Sequence, residues 1–254
     1  MSVTVSALHT ATIKGTQLVS VARIALSERG AEGDRRFFLA DDKQRMRNAK
    51  QIGSLQQLVS GLEGDRLSVT FPDGSMIRGK VELGDTLDCQ FYSHRVAGQL
   101  VEGPWADAIS EFCGTRLRLF AAGSAVDRGA RGAVSLISRA SLKRLAHEAG
   151  SETVDGRRFR MLIEVDGVAE HAEDGWLGQR LQVGGAVLRF DGHVGRCLVT
   201  SRDPDTGEVT LPTLDLLRAY RRGLETTEPL PFGVYGRVLK PGAVRVGDSV
   251  SPLP

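Results

Sequence analysis

The segment around Cys197 carries the residue types most suited to chemistry. The stretch Arg196–Gly207 reads RCLVTSRDPDTG, so a cysteine follows an arginine and precedes a run, Leu198–Thr200, that is compatible with a strand. A positive charge beside a thiol favours the thiolate, which is a good nucleophile and a soft metal ligand. The following Asp203–Gly207 predicts a turn, because Asp and Pro start turns and Gly closes them. A cysteine packed inside a barrel explains the same pattern, so both interpretations stay open.

Other reactive residue types are scattered along the chain. The three cysteines form no CxxC pair, and the five histidines form no HxH or HExxH motif. These spacings argue against a disulfide framework, a zinc site or an iron–sulfur cluster. His193 precedes Cys197 by four residues, so on a strand the two could share a face as a Cys–His nucleophile pair. A packed or exposed imidazole is the plainer alternative. Glu173–Asp174 could form an acid–base pair, but we prefer a turn.

The elements that must position these residues are mostly short strands. Apolar runs between turn signals predict strands over Val3–Ala7, Val19–Leu26 and Phe37–Ala40. Leu67–Phe71 and Ser75–Val81 flank Pro-Asp-Gly, which predicts a hairpin. A glycine turn between two apolar residues occurs three times and predicts barrel corners. The three corners are Leu83–Leu87, Val183–Val187 and Val246–Val250.

Helices are fewer, and the fold class follows from the balance. Apolar spacing predicts helices over Pro104–Cys113, Ser138–Glu148 and Leu214–Tyr220, with Ser138 as an N-cap. The stretch Gly123–Gly132, with Arg128 and Arg131, lacks periodicity, and we interpret it as the boundary between two β-rich halves. The chain is therefore predicted to be mainly β with a few helices (α+β) and barrel-like.

Composition excludes several classes of function. The chain has 254 residues, with 33 Lys and Arg against 31 Asp and Glu, for a formal charge of +2. This balance favours neither nucleic acid nor an anionic membrane as a partner. The first fifteen residues lack a basic region followed by an apolar run, and no stretch approaches a membrane span, so we expect a cytoplasmic protein. The doublets Arg157–Arg158 and Arg221–Arg222 are predicted to be solvated.

Several segments together resemble one family. Val194–Gly207 is similar to the cysteine signature of MOSC domain proteins, which are named for the C-terminal domain of molybdenum cofactor sulfurase. The resemblance covers nearly the whole chain, and within the family the sequence resembles the amidoxime-reducing component and its bacterial counterparts. The other matching segments, in the family's order, are Gly33–Phe37, Val134–Leu142, Phe159–Ile163, Ala172–Trp176, Phe232–Tyr235 and Gly242–Val250.

The resemblance implies a fold, a cofactor and a set of site residues. It implies an N-terminal MOSC β-barrel domain over residues 1–122 and a MOSC β-barrel domain over 123–254, with a molybdenum cofactor (molybdopterin) between them. The metal would be held by the pterin dithiolene and by Cys197, which is also the catalytic residue. Pyridoxal phosphate is another phosphate-bearing ligand type to consider for the family. The residues expected to bind the cofactor are Lys14, Arg35, Ser138, Arg160 and Arg196.

The sequence departs from the family pattern at three places. Gly15 replaces a hydroxyl residue after the first-strand lysine, and Asn48-Ala-Lys50 replaces Thr-Ala-Arg. Met161-Leu162 replaces Pro-Asn, so an amide that could hydrogen-bond the pterin is missing. An apolar Leu162 cannot satisfy a buried polar ring edge, so backbone groups and water must take its place, or the ligand differs.

The resemblance predicts a reductase and leaves two alternatives. The first hypothesis is a molybdenum-dependent enzyme that reduces small N-hydroxylated or other N-oxygenated compounds. The sequence contains no four-cysteine cluster spacing, so the electrons are expected from a separate donor protein. The second is a sulfur or cofactor carrier that uses Cys197. The third is a non-catalytic module that has lost the cofactor and binds another anion, which Gly15 and Leu162 motivate.

Overall fold

The structure is a computed structural model that describes residues 2–123 and 129–253. Within these ranges the chain is mainly β with three α-helices, which confirms the predicted fold class. The predicted boundary Gly123–Gly132 includes residues 124–128, among them Arg128, and these lie outside the described residues. The division into 1–122 and 123–254 therefore stays a prediction.

The described part of the chain forms nineteen strands, most of them short. They are β1 Thr4–Thr10, β2 Val19–Ser20, β3 Arg23–Ser27, β4 Gly30–Ala31, β5 Phe37–Ala40, β6 Met46–Arg47, β7 Val59–Glu63, β8 Arg66–Thr70, β9 Met76–Lys80, β10 Glu82–Phe91, β11 His94–Glu102, β12 Arg118–Ala122, β13 Val134–Ser138, β14 Ile163–Asp166, β15 Arg180–Val183, β16 Ala186–Gly195, β17 Pro231–Lys240, β18 Gly242–Arg245 and β19 Val250–Leu253.

The largest sheet has eight strands in the order β19-β15-β16-β17-β13-β14-β1-β2. Strand β1 pairs antiparallel with β14, with Leu8 opposite Ile163, although the two strands are far apart in the sequence. Strands β13 and β14 run parallel, and the helix α2, Arg139–Glu148, connects them. The first strand of the chain thus completes a sheet whose other long strands come from the C-terminal half.

Two separate cores explain how β5 is buried on both faces. A five-stranded sheet has the order β10-β11-β12-β5-β6. Successive side chains of a strand point to opposite faces. Phe37 and Leu39 accordingly pack into one apolar cluster with Trp105, whereas Phe38 and Ala40 pack into another. Two three-stranded sheets, β18-β3-β4 and β7-β8-β9, complete the fold.

The predicted helices and the hairpin are confirmed. The three helices are α1 Trp105–Cys113, α2 Arg139–Glu148 and α3 Thr213–Tyr220. Strands β8 and β9 form the predicted hairpin, with Val69 opposite Ile77. None of the helices in the described ranges has both the length and the apolar character needed to cross a bilayer.

Three local expectations are wrong. The predicted strand Val19–Leu26 is instead two strands, β2 and β3, which lie in different sheets. Leu83–Leu87 is not a corner: it lies within strand β10, where the pairing with β11 shifts register between Leu83 and Thr86. The other two glycine turns are found, because Gly184 and Gly247 adopt positive φ between strands. The run after Cys197 is not a strand but a 3-10 turn, Leu198–Ser201.

Candidate functional site

A cleft of about 560 Å³ collects side chains from both halves of the chain. Its wall carries seven Lys or Arg residues against two carboxylates, Asp34 and Glu228, so the cleft is strongly cationic. The cations are Lys14, Arg29, Arg35, Lys50, Arg158, Arg160 and Arg196. Cys197 lines the same wall. Every predicted site residue except Ser138 is therefore brought to one place.

Cys197 stands at the end of strand β16. The strand ends at Gly195, and Cys197 takes the position before the 3-10 turn, where its carbonyl oxygen accepts bonds of 3.0 Å from Nα and Oγ1 of Thr200. The residue is half-buried. Cys89, by contrast, is fully buried, and desolvation raises the pKa of its thiol to about 11. Burial also raises the pKa of the Cys113 thiol. Cys197 is thus the cysteine that the fold presents to the cleft.

Lys14 reaches the cleft from the segment after β1. It is only 8% exposed, and its amide donates to the Phe37 carbonyl oxygen at 2.8 Å. Gly15 has φ +100, and a Cβ there would lie 3.2 Å from Ala49 Nα and from Asn48 Cα. A side chain at this position is therefore excluded by backbone conformation and by the neighbouring segment. This explains why the chain has no hydroxyl residue after the lysine.

Arg35 and Arg160 connect the loops on the two sides of the cleft. Arg35 Nη2 donates to the Arg160 carbonyl oxygen at 2.8 Å, and Arg160 Nη2 donates to the Thr16 carbonyl oxygen at 2.8 Å. Arg35 also pairs with Asp34. Both arginines have left-handed backbones, with φ of 48 and 54. Such backbones are costly outside glycine and cluster at functional sites, where the surrounding structure enforces them.

Arg196 is fixed in the wall of the cleft by its own hydrogen bonds. Nε donates to the Phe232 carbonyl oxygen at 2.8 Å, and Nη1 donates to the Phe159 carbonyl oxygen at 2.8 Å. Nη2 lies 3.1 Å from Met161 Sδ, and the guanidinium sits 5.3 Å from the centre of the Phe159 ring. Most of its donors are thereby engaged by the protein. Arg196 contributes positive charge beside Cys197 and holds three segments of the wall together.

Met161 and Leu162 replace the polar pair expected from the family. Leu162 is only 2% exposed and belongs to the apolar core beneath the largest sheet. Its amide donates to Ser135 Oγ at 3.0 Å. Both Leu162 and Ser135 line the cleft, so polar atoms on this wall come from the backbone and from Ser135.

Ser138 caps a helix outside the cleft. Its hydroxyl accepts a hydrogen bond of 3.1 Å from Ser141 Nα, which makes it the predicted N-cap of α2. Its amide donates to Glu173 Oε1 at 3.1 Å. Glu173 is fully buried in a 3-10 turn, Ala172–Trp176, which agrees with the preferred interpretation of Glu173–Asp174. Ser138 does not line the cleft, so the geometry gives no support to its role in cofactor binding.

His193 is engaged away from Cys197. Its Nε2 lies 3.6 Å from Asp174 Oδ1, and its amide donates to Thr227 Oγ1 at 2.8 Å. Burial lowers the pKa of its imidazole, and the charge of Arg221 lowers it further, against the effect of Asp174. Strand β16 ends before Cys197, so the shared strand face that a Cys–His pair requires is absent.

Of the two arginine doublets that the sequence predicted to be solvated, only Arg222 is exposed. Arg221 is 7% exposed and donates to Asp174 Oδ2 at 2.6 Å. Arg157 donates to Asp155 and to both carboxylate oxygens of Asp205 at 2.8 Å. These contacts raise the pKa of Arg157. The predicted turn Asp203–Gly207 is thus fastened to the 3-10 turn Gly156–Phe159.

Sequence reasoning missed several cleft residues. Lys50 and Arg158 add charge to the wall, and Tyr92 adds an aromatic ring. Nothing in local spacing signals them, because they meet only through tertiary pairing. Residues 2–123 and 129–253 contain no group of three or more His, Cys, Asp and Glu side chains that could hold a metal ion.

The fold and the cleft define a β-rich protein with a thiol in a cationic, two-sided cleft. Family comparison agrees: the MOSC domain model matches residues 108–251, and the model of the MOSC N-terminal beta barrel domain matches residues 2–118. The chain belongs to the MOSC domain family.

Individual relatives match over part of their length. The human mitochondrial amidoxime-reducing component 1 is 34% identical over 122 residues, which make up 45% of this chain and 35% of the relative. The human mitochondrial amidoxime reducing component 2 is 38% identical over 99 residues, or 36% of this chain and 29% of the relative. The chain thus matches about a third of these relatives. A solved structure, the YUAD protein from Bacillus subtilis, aligns over 98% of this chain and 94% of its own at 12% identity and a TM-score of 0.48.

Proposed function

We propose that the chain binds a molybdenum cofactor in the cleft and reduces small N-hydroxylated or other N-oxygenated compounds. The observation that carries the proposal is the position of Cys197, half-buried on the wall of a cleft with seven Lys or Arg residues. The names of the human relatives, amidoxime-reducing components, supply the class of reaction.

The donor set suits such a cofactor. Cys197 supplies a soft sulfur ligand, and the pterin brings the rest of the metal's coordination. Lys14, Arg35 and Arg160 supply charge for the phosphate group, and Lys14 does so from a buried position. When bound, the cofactor would supply a redox-active metal for the reduction of an N–O bond. Pterin contacts on the Met161–Leu162 side would fall to backbone groups and Ser135.

The residues of the chain prepare the cleft for this reaction. Arg196 keeps its positive charge at a fixed place in the cleft wall, since its guanidinium is bound to the Phe159 and Phe232 carbonyl oxygens. The hydrogen bonds from Arg35 to the Arg160 carbonyl oxygen and from Arg160 to the Thr16 carbonyl oxygen join the two loops. The overall reaction takes two electrons and two protons to convert an N–OH group into N–H and water. We propose that a separate electron-donor protein supplies the electrons.

A sulfur or cofactor carrier is the second candidate, because the same half-buried thiol could hold a persulfide. An anion-binding module without the cofactor is the third, because the wall formed by Met161 and Leu162 is apolar.

The test is the metal and pterin content of protein made in a host that synthesises the cofactor. We expect about one molybdenum and one pterin per chain in the wild type, and loss of the metal in Cys197→Ser. Cys113→Ser is the matched control, because Cys113 is also half-buried but lies outside the cleft. Molybdenum far below one per chain, unchanged by Cys197→Ser, would overturn the proposal. A mass increase of 32 Da on Cys197 after incubation with a cysteine desulfurase would then favour the carrier.

A further inference from the structure

Tyr92 brings an aromatic ring to the rim of the cleft. It lies at the tip of the hairpin formed by β10 and β11, and it lines the cleft together with Cys197. Tyr92 is a large hydrophobic residue that remains exposed, with 57% of the residue accessible to solvent. Lys14, on the same cleft, is only 8% exposed, so the cleft runs from a buried cationic interior to an aromatic rim.

The backbone at Tyr92 is strained. Phe91 pairs with His94, so Tyr92 and Ser93 form a two-residue turn. Tyr92 has φ 44, at the first central position of the turn. A positive φ at this position alone is normally supplied by glycine. Tyrosine therefore stands where the turn prefers glycine, and strained residues of this kind concentrate at functional sites.

Buried and local hydrogen bonds hold the ring in place. Asn48, which is 6% exposed, donates from Nδ2 to the Tyr92 hydroxyl at 3.0 Å. Gln90 Nε2 donates to the Tyr92 carbonyl oxygen at 2.8 Å and to the His94 carbonyl oxygen at 3.2 Å. The hydroxyl end is thus fixed to the cleft wall while much of the residue stays exposed. A preorganised ring loses little freedom when a ligand stacks on it.

We propose that Tyr92 is a specificity-determining residue that stacks on a flat, aromatic group of the substrate at the mouth of the cleft. The inference rests on the proposed function, and it adds a preference for substrates in which the functional group that contains the N–O bond carries an aromatic ring. The exposure of Tyr92 favours substrate over cofactor, because the cofactor's phosphate is assigned to the buried end near Lys14.

The test compares two probes with one reactive group: benzamidoxime, which carries a phenyl ring, and acetamidoxime, which carries a methyl group. Binding to the holoprotein is measured by isothermal titration and saturation-transfer NMR. The variant Tyr92→Gly removes the ring and suits the positive φ, so the turn is preserved. Tyr92→Phe, which keeps the ring, is the control. We expect Tyr92→Gly to weaken benzamidoxime binding about two- to tenfold and acetamidoxime binding less than about twofold.

Three outcomes would overturn the role of Tyr92. They are equal weakening of both probes in Tyr92→Gly, no binding of benzamidoxime to the wild type, and a fall of molybdenum and pterin content in Tyr92→Gly, which would place the ring on the cofactor. Retained phenyl selectivity in Tyr92→Phe supports the role. Turnover is measured separately. A cofactor-containing wild type that reduces neither probe contradicts the proposed function. The ratio of benzamidoxime to acetamidoxime binding still decides the role of Tyr92.

Discussion

Arg196→Lys tests whether the arginine holds the cleft wall together. The Phe159 and Phe232 residues are buried, and their carbonyl oxygens accept from two different nitrogens of the guanidinium. An ammonium group can reach one of these carbonyls but cannot bridge both, so at least one buried acceptor loses its partner. Together with the lost contact to the Phe159 ring, this costs about 2–4 kcal/mol of unfolding free energy.

The measurement is thermal unfolding followed by circular dichroism. For a chain of this size, about 2–4 °C of melting temperature corresponds to each kcal/mol, so the expected drop is roughly 4–16 °C. Arg218→Lys is the control, because that exposed arginine pairs with an exposed Asp215 and contributes less than about 0.5 kcal/mol. A melting temperature of Arg196→Lys equal to that of the control would refute a bridging role.

Two further predictions concern stability. Gly207→Ala places a Cβ 2.0 Å from the Gly53 carbonyl oxygen, whereas the Cβ of the control Gly150→Ala meets nothing within 4 Å at a similar φ. Only Gly207→Ala should therefore lower the melting temperature by more than about 5 °C. Equal drops in the two variants would contradict this prediction. Burial and two nearby arginines lower the pKa of His171 to about 4, so the unfolded chain takes up the proton first and stability falls as the pH drops from 6.5 toward 4. His171→Phe should flatten this pH dependence of the melting temperature, and the exposed His147→Phe should leave it unchanged.

Local sequence patterns were sufficient to predict the elements that depend on interactions between nearby residues. The capping hydroxyl of Ser138 and the apolar spacing over Trp105–Cys113 predicted two helices at nearly the right bounds, because both effects act within one turn. Leu83–Leu87 failed, since a glycine inside a long pair of strands is absorbed as a register shift when the partner strand continues. The strand expected at Leu198–Thr200 failed because β propensity needs a neighbouring strand to be satisfied.

The candidate site was predictable only where the family resemblance marked it. Lys14 and Cys197 line the same cleft although most of the chain lies between them in the sequence, and no sequence periodicity indicates this. The burial of Arg221 could not be predicted from local sequence either, because the carboxylate that pairs with it belongs to Asp174 in a distant turn. The resemblance also named Ser138, whose hydroxyl the structure uses as a helix cap instead of a cleft residue.

The pairing of β1 with β14 has a consequence for how the chain folds during synthesis. Thr4–Thr10 is made about 150 residues before its partner strand around Ile163. At translation rates of about 5–20 residues per second, strand β1 waits roughly 8–30 s without β14, with the apolar side chains of Val5 and Leu8 uncovered. The nascent chain is therefore exposed to chaperones and to aggregation along β1, and the largest sheet closes only after β14 has been made.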